Sequence, residues 1–156
     1  MTYNSTTTLN RIREGSPESG RACEEGYAKL LKYIGKTKAD DEPLDLLTVL
    51  DSNGLDDALW VLSYAMPDDR LARHFQAWCA ERVLHLFEAQ RPNDTRVRDQ
   101  IAMLRNDSAT EEERDAARNA AWNAARDAAW DARAAAWAAQ EKQLRAMITG
   151  KSGDPQ

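Results

Sequence analysis

Cysteine and histidine are scarce in this chain of 156 residues, which has two of each. Cys23 and Cys79 stand alone without a CxxC spacing, so the sequence predicts neither a disulfide scaffold nor a zinc ribbon. His74 and His85 have no third ligand near them in the sequence, which makes a zinc site a poor interpretation. Isolated thiols are typical of a cytoplasmic protein, and we expect no metal and no other cofactor.

Long apolar runs are also absent, since no stretch approaches the run of about 20 apolar residues that a membrane-spanning helix needs. The first ten residues, MTYNSTTTLN, lack the basic start and the apolar run of a signal peptide. The chain has no GxSxG, P-loop or dinucleotide-binding pattern, so common fingerprints of catalysis are missing too. We therefore expect a non-enzymatic cytoplasmic protein without a membrane partner.

Positive charge is missing from one stretch, residues 39–69, which we name the acidic segment. It holds nine carboxylates and neither Lys nor Arg, while the net charge of the whole chain is −5. Because nucleic acid is bound through clustered Lys and Arg, we do not expect direct contact with nucleic acid. The complementary partner is another protein with a basic surface.

Six carboxylates of the acidic segment are the candidate binding residues for that partner: Asp40, Asp41, Glu42, Asp45, Asp56 and Asp57. A simpler explanation competes, because helix N termini favour Asp and Glu, and this accounts for about half of the nine charges. This preference of helix N termini does not account for the absence of Lys and Arg from the acidic segment. Two other interpretations stay open: acid–base carboxylates of an enzyme acting on a small ligand, and a calcium loop near residues 51–57 that lacks its final Glu.

Glycine and proline are absent from residues 110–148, although they punctuate the rest of the chain. These 39 residues are rich in Ala, the best helix former. Thr110 and Glu113 have the spacing of a capping box, and Gly150 stands where a C-terminal cap is expected. The stretch therefore predicts one continuous helix about 58 Å long.

That long helix is expected to be apolar on two sides. Alanine pairs recur every four residues over residues 116–129 and form a smooth face for close helix packing. Trp122, Trp130 and Trp137 recur on the opposite side, with Arg126 beside them. Because Trp and Arg dominate interface hot spots, Trp122, Arg126 and Trp130 are candidate residues for binding a partner or a second copy of the chain. The alternative is that the Trp side chains are simply core.

The remaining helices are predicted from helical periodicity and from start signals, of which Ser16-Pro17 and Glu42-Pro43 are the clearest. No segment shows the alternation typical of strands, so we predict an all-α, orthogonal bundle of six to seven helices. A single domain is expected over residues 1–156. It comprises a loose or short-helical start (1–15), a bundle (16–106), the long helix (110–149) and a tail (150–156).

Two neighbouring motifs carry a family resemblance: AERVLHLFE at residues 80–88 and RPNDTRVR at residues 91–98. They resemble the core of immunity proteins of bacterial toxin systems, where roughly AERVLPxFE and YPxDxRPR precede an Ala-rich helix. His85 and Val97 stand where that pattern has proline. Residues 35–54 are similar to phage and prophage proteins of unassigned role.

The resemblance covers most of residues 20–140 and implies binding and neutralisation of another macromolecule, with no catalytic residues. With the acidic segment, it leads to the hypothesis of an inhibitor of the immunity or phage counter-defence (anti-CRISPR-like) kind. Such an inhibitor occludes a basic surface of a toxin or of a bacterial defence nuclease. The alternatives are an assembly protein that forms a homo-oligomer through the Trp stripe and, least favoured, an enzyme acting on a small ligand.

Overall fold

A computed structural model describes residues 2–125 and 133–151, with all their side chains except those of Gln90 and residues 123–125 and 133–135. Its elements follow in the order β1 (Thr6–Thr7), α1 (Leu9–Glu14), α2 (Glu24–Ile34), β2 (Leu44–Asp45), α3 (Leu46–Asn53), α4 (Leu55–Tyr64), α5 (Arg70–Gln90), α6 (Arg96–Arg105), α7 (Glu111–Ala125) and α8 (Arg133–Ile148). The described residues are mostly helical, as predicted. They form eight helices where the sequence predicts six or seven, and the orthogonal arrangement stays a prediction.

Within the stretch predicted as one long helix, the structure describes two helices, α7 and α8, on either side of residues 126–132. The predicted capping box forms at the start of α7, since the Glu113 amide donates to Thr110 Oγ1 at 3.2 Å and the Thr110 amide donates to Glu113 Oε2 at 2.8 Å. Whether α7 and α8 are one continuous helix depends on residues outside the described part of the chain.

The predicted start of α2 at Ser16-Pro17 is wrong, because the helix begins at Glu24. The Ser19 amide does donate to Ser16 Oγ at 3.1 Å, but the Gly20 amide then donates to the Ser16 carbonyl and closes a turn. The helix starts instead where Cys23 Sγ accepts from the Gly26 amide at 3.3 Å. A local side-chain hydrogen bond therefore stabilises a turn here in place of a helix.

A small antiparallel ladder joins β1 to β2, with Thr6 opposite Asp45 and Thr7 opposite Leu44. The prediction of a purely helical chain missed it, because two residues per strand are too few to show alternation. Thr7 is buried, and its hydroxyl donates to the Ala65 carbonyl. The ladder thereby fixes the start of the chain against the end of α4.

The chain divides into two compact units, of which unit 1 comprises Met1–Leu71 and Arg145–Gln156 and unit 2 comprises Ala72–Leu144. Whether these two units form one domain, as the sequence predicts, stays a prediction. In unit 1, α3 packs against α2 and α4, and its buried side chains include Leu46, Val49 and Leu50. Burying one such side chain contributes about 1.5–3 kcal/mol relative to leaving it exposed.

Unit 2 has its own core, where α6 packs against α7. The core cluster consists of Ala77, Phe87, Val97, Ile101, Leu104 and Ala121. Ala121 belongs to the alanine face of the long helix and is only 1% exposed, whereas its neighbour Trp122 is 67% exposed. At this turn the alanine side therefore faces the core and the Trp side faces solvent.

Candidate functional site

A cleft of about 320 Å³ opens on unit 1 among α1, α2, α3 and α4, and we name it the unit-1 cleft. Its walls are largely apolar and aromatic, formed by Ile12, Tyr27, Leu30, Val49, Trp60 and Val61. Polar side chains also line it, namely those of Arg21, Asn53, Asp56 and Asp57. An apolar cleft with a few polar groups is the usual form of a binding site.

Asp56 and Asp57 reach this cleft from the first turn of α4. Gly54, with a φ of 90°, ends α3 and directly precedes α4, so the two carboxylates occupy a helix N terminus, where negative charge is favourable. Asn53 Nδ2 donates to Asp57 Oδ2 and to the Gly26 carbonyl, both at 2.7 Å. Asp57 is therefore held in a fixed orientation, while Asp56 is exposed and has no hydrogen-bond partner among the described residues.

Gly26 permits this close approach of α2 to the start of α4. A Cβ at this position would lie 2.8 Å from Asp57 Oδ2 and 3.0 Å from Cys23 Sγ. The sequence shows a glycine in the first turn of α2 without showing the close contact with Asp57 that explains it. It does not indicate that Tyr27, Trp60 and Arg21 line the same cleft, because these residues come from different helices and a loop.

The other four candidate carboxylates lie in or near the loop before α3. Lys36 Nζ lies 2.7 Å from Asp40 Oδ2 and 2.5 Å from Glu42 Oε2, so one cation serves two carboxylates. The hydrogen bond from Lys36 lowers the pKa of Asp40 below its ordinary value. Lys36 lies just outside the acidic segment, which is why the segment's own sequence does not reveal this pairing.

Asp41 and Asp45 are both exposed, and each accepts one hydrogen bond. Asn10 Nδ2 donates to Asp41 Oδ1 at 3.0 Å. Asp45 is the N-cap of α3, and its Oδ1 accepts from the Leu47 amide at 2.9 Å. The presence of Asp45 is therefore explained by helix capping, without requiring any role in binding a partner. Asp41 lies at the surface without a cationic partner among the described residues.

Tyr27 lines the unit-1 cleft, and its hydroxyl is affected by burial and by two nearby charges. Its hydroxyl donates to the Leu9 carbonyl at 3.4 Å. Burial raises the pKa of Tyr27, the charge of Arg13 opposes this effect, and the charge of Asp40 adds to it.

The candidate residues of the long helix are only partly described. Trp122 is exposed, and Trp137 is 37% exposed, so neither is a fully buried core residue. Arg126 and Trp130 lie outside the described residues. The predicted stripe of three tryptophans therefore presents at least two side chains to solvent.

A second cleft, of about 280 Å³, lies on unit 2 between α5 and α8. Its lining includes Trp78, Arg82 and Leu86, and the Arg82 guanidinium lies 5.5 Å from the centre of the Trp78 ring. Burial raises the pKa of the neighbouring Cys79 thiol to about 12. Among the described residues, Arg82 lines this cleft and no carboxylate does.

Among residues 2–125 and 133–151, no three His, Cys, Asp or Glu side chains come together as a metal site. None of the helices in this part of the chain combines the length and the apolar character needed to cross a bilayer.

Comparison with known proteins gives no family for this chain: no protein-family model matches it, and no curated protein or solved structure matches it.

Proposed function

We propose that this protein is a non-enzymatic inhibitor of the immunity or phage counter-defence (anti-CRISPR-like) kind, which binds a target protein and covers its basic surface. The observation that carries this proposal is the acidic segment, with nine carboxylates and no Lys or Arg in 31 residues. Asp41, Asp45 and Asp56 are exposed, and they offer negative charge on unit 1. Toxins and defence nucleases that bind nucleic acid carry the complementary positive charge.

Some carboxylates of the acidic segment have no cationic partner within the described chain, so they contribute more to binding a basic protein than to the stability of the fold. Of the carboxylates in the acidic segment, Asp40 and Glu42 share Lys36, and Asp51 pairs with Arg145 of the same unit. Asp41 and Asp56 have no cationic partner among the described residues. Unpaired surface carboxylates repel one another, and a basic partner removes that repulsion while accelerating association.

The resemblance of residues 80–98 to immunity proteins supports the same class of function. It lies in unit 2, in α5, α6 and the loop between them, whereas the acidic segment lies wholly in unit 1. The two arguments therefore rest on different parts of the chain. The target in this proposal is a toxin or a bacterial defence nuclease, and the chain itself supplies no catalytic group.

Reversing two charges tests the proposal directly. The full-length protein is used as bait in a bacterial lysate that contains toxins and phage-defence nucleases, and the captured target is then purified. The Asp41→Lys/Asp56→Lys variant is expected to bind that target about tenfold more weakly, because two attractive contacts become repulsive. Its affinity should also change less between about 50 and about 300 mM salt.

The control carries the same change of charge outside the acidic segment. Glu14 and Glu18 are exposed, and Glu14→Lys/Glu18→Lys is expected to bind within about twofold of the wild type if the acidic segment is the binding surface. Equal loss in both variants, or unchanged affinity in the first, rejects the acidic segment as the site.

Self-association through the long helix is the second candidate function, and the exposure of Trp122 favours it. Trp is one of the residue types enriched in interface hot spots. Sedimentation velocity is expected to show a dimer of the wild type that becomes a monomer in Trp122→Ala. Tyr33→Ala, which removes a 59% exposed aromatic ring from unit 1, should leave the dimer intact. A monomeric wild type contradicts this function.

A further inference from the structure

We infer that the unit-1 cleft binds the side chain of one arginine from the target protein, with its guanidinium at Asp56 and Asp57 and its aliphatic stem against the apolar wall. This inference rests on the proposed function, because it names the chemical group that anchors the basic partner. It also places the anchor in the cleft, away from the Lys36-paired carboxylates of the loop.

The size and lining of the cleft fit one long side chain. A volume of about 320 Å³ is at the lower end of the range for small-molecule sites, which runs from about 300 to about 1,000 Å³. Ile12, Leu30 and Val61 provide apolar contact, and all three are buried. An arginine side chain matches a cleft that has both an apolar wall and carboxylates, since its stem packs on apolar surface while its head stays polar.

The carboxylates select a planar cation. Asp57 Oδ2 accepts from Asn53 Nδ2, and the other oxygen of Asp57 has no partner among the described residues. Because Asn53 is itself held by the Gly26 carbonyl, Asp57 is oriented before any ligand arrives. A guanidinium offers two parallel N–H donors to a carboxylate, whereas an ammonium acts as a point charge, so arginine is favoured over lysine.

Two aromatic rings strengthen the preference for a cation. Trp60 and Tyr27 line the cleft, and Trp60 is positioned by a tilted contact with Tyr64 at 5.8 Å between ring centres. The face of an aromatic ring attracts a guanidinium by about 0.5–1 kcal/mol at exposed sites and by more when water is excluded. Carboxylates and rings in one cleft therefore discriminate against neutral and anionic side chains.

Arg21 supplies an internal check on this inference. It lines the same cleft and is exposed, so its positive charge repels an incoming guanidinium although it forms no ion pair with Asp56 or Asp57. Removing Arg21 is therefore expected to strengthen binding, whereas removing the charge of Asp57 is expected to weaken it. Two opposite effects within one cleft are difficult to obtain from a general change of stability.

The probe is Nα-acetyl-arginine-N′-methylamide, which carries one guanidinium and no other charge. Titration into the ¹⁵N-labelled full-length protein, followed through the Trp60 indole resonance, is expected to give a Kd of about 1–10 mM, as suits a single side chain. Asp57→Asn should raise this Kd about fivefold, and Arg21→Gln should lower it about twofold. The corresponding citrulline derivative, which has the same shape without charge, should not bind.

Matched controls change the same charges outside the cleft. Asp41→Asn removes a carboxylate and Lys29→Gln removes a cation, and both variants are expected to bind the probe within about twofold of the wild type. No binding of the arginine probe, equal binding of citrulline, or an equal effect of Asp41→Asn and Asp57→Asn overturns the inference.

Failure of the inference is distinguishable from failure of the proposed function. If the probe does not bind but Asp41→Lys/Asp56→Lys weakens target capture, the acidic surface acts without an arginine anchor. If the probe binds as expected but no basic target is affected by that double variant, the cleft recognises arginine and the inhibitor function is rejected.

Discussion

Arg73→Ala is expected to lower the free energy of unfolding by about 3 kcal/mol, since it removes the buried member of a hydrogen-bonded ion pair. Arg73 is 8% exposed, and its guanidinium donates to the Leu104 carbonyl at 2.8 Å and to Asp107 Oδ1 at 2.9 Å. The Leu104 carbonyl is one of the last in α6, which have no partner within the helix. Alanine leaves that carbonyl and the carboxylate without the guanidinium.

Urea denaturation followed by far-ultraviolet circular dichroism measures this loss. The control is Arg118→Ala, which breaks the exposed pair of Arg118 and Asp115 at 3.2 Å in the same unit. Exposed pairs of this kind contribute about 0.2–1 kcal/mol, so the control should be several times milder. A loss below about 1 kcal/mol in Arg73→Ala contradicts the structural role given to its guanidinium.

Gly15→Ala is expected to destabilise the protein by about 3 kcal/mol, because the backbone at this position combines strain with a steric clash. Gly15 ends α1 with a φ of 63° and a ψ of −136°, a region that residues with a Cβ avoid. A Cβ there would lie 1.9 Å from the Gly20 carbonyl oxygen, which is backbone and cannot rotate away.

The matched control is Gly35→Ala at the end of α2. Gly35 has a similar φ of 73°, but a Cβ there meets no atom within 4 Å. Its substitution therefore costs only the left-handed conformation, about 1–2 kcal/mol. Thermal unfolding of both variants should separate strain from clash, and equal destabilisation contradicts the clash at Gly15.

Local signals predicted much of the helical structure. The capping box of Thr110 and Glu113 forms as expected, and Gly35, Gly54 and Gly150 all have positive φ at helix ends. These features depend on neighbours within four residues, so the sequence displays them directly. The start of α2 was missed because Ser16 makes the hydrogen bond of a cap in a turn that Gly20 then closes.

The candidate site was predictable only in its charges. The carboxylates of Asp56 and Asp57 are visible in the sequence, but the cleft forms only when Tyr27, Trp60 and Asn53 come together from three helices. The exposure of Trp122 was likewise open, because an Ala-rich helix that is apolar on two sides does not say which side faces the core. Contacts between distant segments decide both questions, and no local pattern records them.

The discontinuity of unit 1 has a consequence for synthesis on the ribosome. Asp51 pairs with Arg145, a partner 94 positions later, and the closing stretch of this unit follows the whole of unit 2 in the chain. Nascent domains usually fold in the order in which they emerge. Here unit 2 is complete in sequence before Arg145 is synthesised, so unit 1 can form the pair of Asp51 and Arg145 only after the whole of unit 2 has been made.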